Sequence, residues 1–464
     1  MNKRYLFRNA VVAALGGLLF GFDTAVISGA EEMLKNLFES DYQNFSDTIG
    51  FGSANFWHGF VIASALIGTI IGSLFSGKIS DRYGRQFTLK ITALFFIISA
   101  VGSALAWNWH SFFIFRLLGG LAVGSASVVS PMYIAEISPA KMRGRLVAVT
   151  QFNIVFGILL AFLSNYAIAN LNLGENTWRW MFGIETLPAA LFFILLFTTV
   201  KSPRWLMQRG FLEQAEKVLT SLQTNKEKVS EEINNIKASL DKDKNSLNEP
   251  FFQKKYTKPI LLAFAIAMFN QLSGINALMY FAPRIFKMAG FDESAALLSS
   301  VGVGFVNLAF TMAALAIIDH FGRRKLMLVG SVGYILSLSA TAWAFYTYGN
   351  EFSGIGSQVV LWGLLVFIAS HAFGQGAVIL AFISEIFPNK VRARGQAFGL
   401  TTHWLMAALI SWTFPMFAES SGGNTFAFYA VCMVGQLVWV LFFMPETKGV
   451  PLEEMEKKLG ITTA

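Results

Sequence analysis

The chain has one cysteine in 464 residues, Cys432, and it sits inside an apolar run. No intrachain disulfide can form, and no thiolate pair is available to a metal. Histidines number only five. Two of them, His371 and His403, lie in apolar stretches with no second soft ligand at suitable spacing. A cavity hydrogen bond suits them better than a metal ion, and neither a metal site nor a cofactor is expected. Charge is scarce as well, at 14% of residues, which is too little to solvate a globular surface. The net charge of +8 comes from short basic clusters between apolar runs. That pattern argues against nucleic acid as a partner, which would need one continuous basic face. No nucleophile or metal constellation stands within the apolar runs, so catalysis is not expected. The basic start MNKRYLFRNA leads into a long apolar run without a small-residue cleavage site, and that run reads as a retained span.

Apolar material is abundant. Hydrophobic residues make up 54%, with 46 Phe and 40 Gly, and the mean hydropathy is +0.53. A bilayer core about 30 Å thick takes about 20 apolar residues in a helix. Windows of that length recur twelve times, near 9–30, 56–77, 87–107, 111–134, 146–169 and 179–200, then 258–282, 297–318, 325–347, 358–384, 396–417 and 425–444. The expected fold is an all-α membrane protein of twelve transmembrane helices in two six-helix bundles, 1–200 and 258–445. A cytoplasmic helical linker, 201–257, joins them, and a tail, 446–464, follows. In the linker Leu212, Ala215, Val218, Leu219 and Leu222 are spaced as one helical face.

Orientation follows from the basic clusters. Arg82 with Arg85, Lys141 with Arg143 and Arg145, Arg323 with Arg324 and Lys325, and Lys390 with Arg392 and Arg394 occupy alternate loops, whereas the loop 31–56 is acidic. Both termini are therefore expected in the cytoplasm, with the chain in the cell membrane and functional as a monomer. The halves also echo each other. Asp81-Arg82-Tyr83-Gly84-Arg85 returns as Asp319-His320-Phe321-Gly322-Arg323, and Glu136 seven residues before Arg143 returns as Glu385 before Arg392. Both pairs recur about 240 residues on, as a duplicated six-span unit requires. These residues are expected to form a cytoplasmic salt-bridge latch holding the two halves together.

Three ionisable residues stand inside first-half spans: Asp23, Arg116 and Glu185. At 1.5 Å per residue, Asp23 is roughly 20 Å up its span, and the other two are each under about 10 Å from the outer ends of theirs. All three reach a similar depth. An ion in lipid costs several kcal/mol unless paired, so they should meet in the bundle interior. A carboxylate that alternates between Arg116 and a proton would couple protonation to conformation. A static ion cluster that only fastens helices is the plainer reading, and function is favoured over it. The second half carries no such charge. Instead Asn270, Gln271 and Asn276 put three amides on little more than one helical turn. With Gln151, Asn307, His403 and Trp404 they are expected to make a neutral polar cavity with an aromatic wall, suited to a polyhydroxyl substrate; helix–helix hydrogen bonding is the plainer reading, over which the site is favoured for Gln271 and Asn276 together but not for Asn307 alone. Fours of small residues, Ser64-Gly68-Gly72-Ser76, Gly17-Gly21 and Gly120-Gly124, are helix-packing seams.

The segments GGLLFGFDTAVISG (16–29), Asp81-Arg82-Tyr83-Gly84-Arg85, SPRWL (202–206), NQLSGINA (270–277), ISEIFPNKVRARG (383–395) and PETKG (445–449) resemble, together, the sugar porter family of the major facilitator superfamily. The similarity covers nearly the whole chain. It is nearest to bacterial xylose/proton symporters, whose aspartate, arginine and glutamate fall on Asp23, Arg116 and Glu185; facilitative glucose carriers typically have asparagine for the aspartate. The resemblance implies proton-coupled transport of a pentose or hexose by alternating access. It also implies sugar contacts at Phe20, Gln151, Gln271, Asn276, Tyr280, Asn307, Gly376 and His403. Departures are Asn270 for a first glutamine, Met279 for a tyrosine, His403 for a glutamine or asparagine, Ala377 for a proline, Leu380 for a ring-packing tryptophan and Lys201 for the usual Pro-Glu. A facilitative sugar uniporter of the same fold is the alternative. A drug/proton antiporter fits the amide cavity less well, and a sensor would lack any appended signalling domain.

Overall fold

The computed structural model describes residues 3–222, 226–246, 249–349, 351–352 and 354–461. Helices account for its architecture, and no strand occurs among the described residues. In chain order they are α1 (Lys3–Ile49), α2 (Ala54–Ile62), α3 (Ser64–Tyr83), α4 (Arg85–Ala104), α5 (Trp109–Ile137), α6 (Ala140–Ala169), α7 (Thr177–Gly183) and α8 (Thr186–Leu196). The linker holds α9 (Pro203–Gln208), α10 (Leu212–Leu222) and α11 (Lys226–Ser246). There follow α12 (Thr257–Leu272), α13 (Ile275–Met288), α14 (Glu293–Phe321), α15 (Arg323–Tyr348), α16 (Gly354–His371), α17 (Ala377–Ile386), α18 (Arg392–Ser420), α19 (Gly422–Phe442) and α20 (Leu452–Lys458).

Eleven of these helices or broken helix pairs are long and apolar enough to cross a bilayer. The remaining span is α18, 29 residues long, which begins at Arg392 and carries Thr401, Thr402 and His403 within it. Its length suffices, and polar residues lower its hydropathy. With α18 the chain has the twelve spans expected of it. Four spans are interrupted, each next to polar residues. The second breaks at Ala63, the sixth at Ile184–Glu185, the seventh at Ser273–Gly274, and the tenth passes through a wide turn at Ala372–Gly376. Gly274 has φ +87°, and a Cβ there would come within 2.7 Å of the Tyr429 ring, so both backbone and packing demand glycine.

The chain divides into two compact units. The first comprises Met1–Asp23, Ile67–Ile158 and Phe182–Glu249; the second comprises Thr24–Leu66, Leu159–Met181 and Pro250–Ala464. In the first unit Ala10, Ala13 and Leu19 of α1, Phe96 of α4, Ala126 and Tyr133 of α5 and Phe192 of α8 share one buried cluster. Small residues bring the backbones close. A side chain at Gly21 would overlap the Ile154 carbonyl, one at Gly68 the Leu117 carbonyl, and one at Gly124 the Thr69 carbonyl. Within a bilayer, such close contact and interhelical hydrogen bonds replace water exclusion as the source of association. In the second unit Ile266, Met327, Phe382, Phe387 and Val440 share another cluster.

Two expectations about elements need correction. The acidic stretch after residue 30 is not a loop: α1 runs on to Ile49, about 70 Å in all. Leu34, Phe38 and Tyr42 recur every fourth residue and are buried, so the helical period survives although the hydropathy falls. In α10, Ala215, Leu219 and Leu222 are buried, but Leu212 is half exposed at the first turn, where no preceding turn covers it.

Candidate functional site

In the first unit, α1 and α5 bring Asp23 and Arg116 together. Arg116 Nη1 donates to Asp23 Oδ1 at 2.5 Å, and Nη2 donates to the Asp23 carbonyl at 3.2 Å. Both side chains are 1% exposed. The guanidinium lies 5.4 Å from the centre of the Phe182 ring, which caps it with a weakly polar face. A Cβ at Gly119 would overlap the Ser99 hydroxyl and stand 3.3 Å from Asp23 Oδ1, so this glycine lets α5 pack closely beside the carboxylate. Glu185 sits where span six breaks, at the start of α8, and is also 1% exposed. It lies within reach of the charges of Asp23 and Arg116, yet its Oε1 has no hydrogen bond among the described residues. Two carboxylates and one guanidinium thus share a dry site. At most one carboxylate is neutralised by the arginine, which leaves the other a natural place for a proton. Phe20, one turn before Asp23, and Gln151 of α6 belong to the same unit and are half-buried.

In the second unit, the break after α12 gathers the amides. Gln271 is the hub. Its Nε2 donates to Asn270 Oδ1 at 3.0 Å and lies 3.2 Å from both His403 ring nitrogens, while its Oε1 accepts from Asn276 Nδ2 at 2.6 Å. All three amide side chains are buried. The indole of Trp404 stands edge-on to His403, with ring centres 4.9 Å apart. Tyr280 on α13 and Asn307 on α14 are also buried, and Asn307 accepts from Thr311 at 3.4 Å. Gly376 closes the wide turn of span ten, where a Cβ would come within 3.1 Å of the His371 carbonyl. His371 itself is held by Tyr334, whose hydroxyl lies 2.6 Å from Nδ1. Tyr334 also donates to Gln375 at 3.3 Å, and Gln375 donates to Gln436. The Tyr334–Gln375–Gln436 chain was not visible in the sequence, because its members are spread over three spans. Leu380 is 60% exposed, so nothing in its own unit occupies the place a larger ring would fill.

The repeated charge motifs are paired within each half. Arg85 makes a forked contact with Glu136 at 2.8 to 3.1 Å and a further ion pair with Asp81 at 2.9 Å. Ser202 donates to Glu136 at 2.5 Å. In the second half Arg323 pairs with Glu385 at 2.8 Å, and Glu446 accepts from the Arg323 and Arg324 amides. Each copy of the repeated motif has an acid partner within its own half among the described residues. Arg143 donates to the Ala135 carbonyl instead of Glu136, Arg82 packs on Tyr83, and Arg392 has no ion pair among the described residues. The side chain of Asp319 lies outside the described residues.

A twelve-span helical chain, internally repeated, with broken helices beside buried polar residues, is a membrane transporter by architecture. It belongs to the family of sugar (and other) transporters, whose model matches residues 9–459. It is 40% identical to the D-xylose-proton symporter of Escherichia coli K12, over 98% of this chain and 96% of that protein. It is 37% identical to the arabinose-proton symporter of Bacillus subtilis, over 96% of this chain and 93% of that protein. Among solved structures, the inward open conformation of the E. coli xylose transporter XylE matches with a TM-score of 0.85 at 38% identity, covering 98% of this chain and all of that one.

Proposed function

We propose that the chain carries a monosaccharide across the cell membrane together with a proton, by alternating access. The observation that carries this reading is the dry Asp23–Arg116 pair with Glu185 beside it. Asp23 stays ionised while Arg116 holds it. A rearrangement of α1 against α5 within the first bundle, 1–200, as the two bundles rock separates the pair, and the carboxylate then accepts a proton so as not to remain a bare buried charge. Protonation and conformation become linked, and a proton gradient biases the cycle. Glu185 tunes this exchange as a second acceptor at the same depth.

The sugar contributes hydroxyls and no charge, and it is recognised by Asn270, Gln271, Asn276, Asn307 and His403, with Tyr280, Trp404 and Gly376 around them and Phe20 and Gln151 from the first half. Relatives named for xylose and arabinose support a pentose or hexose as the cargo. The linker 201–257 and the tail 446–464 lie in the cytoplasm with both termini, and the monomer is the working unit. Uptake of labelled pentoses and hexoses into proteoliposomes, with and without an inward proton gradient, tests the reading. Accumulation of one sugar that collapses with an uncoupler supports it. Uptake that only equilibrates would make the chain a facilitator.

A further inference from the structure

At the outer end of the second unit a set of charges joins segments far apart in sequence. Glu31 and Lys35 lie on the outer part of α1, Asn55 and His58 on α2, Arg284 on α13 and Glu419 at the end of α18. Arg284 bridges two acids, donating through Nη1 to Glu31 at 2.9 Å and through Nη2 to Glu419 at 3.0 Å. His58 Nε2 lies 2.7 Å from the same Glu31 oxygen that Arg284 holds. Glu419 also accepts from Lys35 and from Asn55, one on each carboxylate oxygen. At the rim Lys287 donates to Glu32 at 2.7 Å.

Burial grades across this set. Glu31 is 1% and His58 0% exposed, Arg284 12%, and Glu419 38%. Three acids, Glu31, Glu32 and Glu419, face three cations, Lys35, Arg284 and Lys287. A buried ion pair adds little net stability, because desolvation offsets its Coulomb gain, but removing one member leaves a buried charge with nothing to meet it. Such a set is therefore satisfied only while these four segments stay together. Asn276, in the first turn of α13, lies eight residues before Arg284, which is about 12 Å along one short helix. The amide expected to touch sugar and the arginine of the outer set thus ride on the same segment, bent at Phe281, whose φ and ψ are −126° and 18°.

We propose that Glu31, Arg284 and Glu419, steadied by His58, Lys35 and Asn55, form an ionic lock that holds the outer side of the transporter shut. The lock rests on the alternating-access reading, in which the outer side must open to admit sugar. Its members are spent on conformation and not on cargo, since Arg284 is fully engaged by the two acids. Loss of Arg284 strands Glu31 and favours the outward-open state, in which that carboxylate reaches water.

Spin labels at Leu171 and Glu351, both exposed at outer turns, in a Cys432→Ser background, would report this by the distance between them. The parent should show mainly the short, closed distance. Arg284→Gln should raise the open-to-closed ratio about tenfold, the scale of a typical coupling between states. Glu31→Gln with Arg284→Gln should return the ratio toward the parent, because no bare charge remains. Glu419→Gln, at the wetter rim, should move it the same way by less, and it serves if the Arg284 variant does not fold. Proton-driven uptake with an unmoved distance in Arg284→Gln and Glu419→Gln would overturn the lock and leave the transport reading standing. A double variant more open than Arg284→Gln alone would also overturn it.

Discussion

The two units solve the problem of buried polarity in opposite ways. Around Arg116 the first unit keeps full charges, with one arginine among two acids and an acid oxygen that has no hydrogen bond among the described residues. Around Gln271 the second unit uses neutral groups, each amide answered by another amide or by an imidazole. A neutral network can exchange its internal hydrogen bonds for those of a ligand hydroxyl at little net cost. A charged one cannot lose a partner without taking up or releasing a proton or reaching water. The first arrangement suits a device driven by protons, and the second suits recognition of an uncharged, hydroxyl-rich molecule.

Substitutions can sharpen that contrast. The largest effect is expected from Arg116→Ala, which leaves Asp23 and Glu185 both buried without a cation. Breaking a buried pair in this way costs about 3–5 kcal/mol, and the variant should show a steep fall in detergent-solubilised Tm and yield. Asp23→Asn and Glu185→Gln with Arg116→Met should recover much of the loss, since no charge is then stranded. A smaller effect is expected in the neutral region. Gln271→Ala and Asn276→Ala should each weaken sugar affinity by about 1–3 kcal/mol, read by equilibrium binding, with the Tm close to the parent's. A fall in Tm as large as that of Arg116→Ala would erase the distinction between the two regions. Leu380→Trp should be milder still. The exposed position accepts the larger ring, so the order of preference in a sugar panel should change while the Tm does not. Least of all, Leu212→Ser on α10 should leave the Tm unchanged within error, because Leu212 is half exposed.

Much of this was legible from residue order. Depth counting along three spans placed Asp23, Arg116 and Glu185 at one level, and the structure pairs the first two and sets the third beside them. The clustering of Asn270, Gln271 and Asn276 followed from spacing, although the break at Gly274 that turns Asn276 back onto Gln271 shows only as one glycine in the sequence. Hydropathy misjudged the outer part of α1, because acids and lysines mask the fourfold recurrence of Leu34, Phe38 and Tyr42. That misjudgement hid the outer lock, whose Glu31 seemed to lie in a loop. Sequence identifies a repeated Arg and a repeated Glu, but only coordinates tell whether each arginine meets the acid of its own copy or of the other.

The central claim is that Asp23 links proton movement to sugar movement. Asp23→Asn keeps the size and a hydrogen-bonding group while removing the charge, so it stands in for the neutral acid. Parent and variant would be compared in proteoliposomes with an imposed inward proton gradient, following accumulation and counterflow of the same sugar. The account predicts that the parent concentrates sugar with the gradient, and that Asp23→Asn loses accumulation while still binding sugar and supporting exchange. A variant that still concentrates sugar, or a parent indifferent to the gradient, would contradict it.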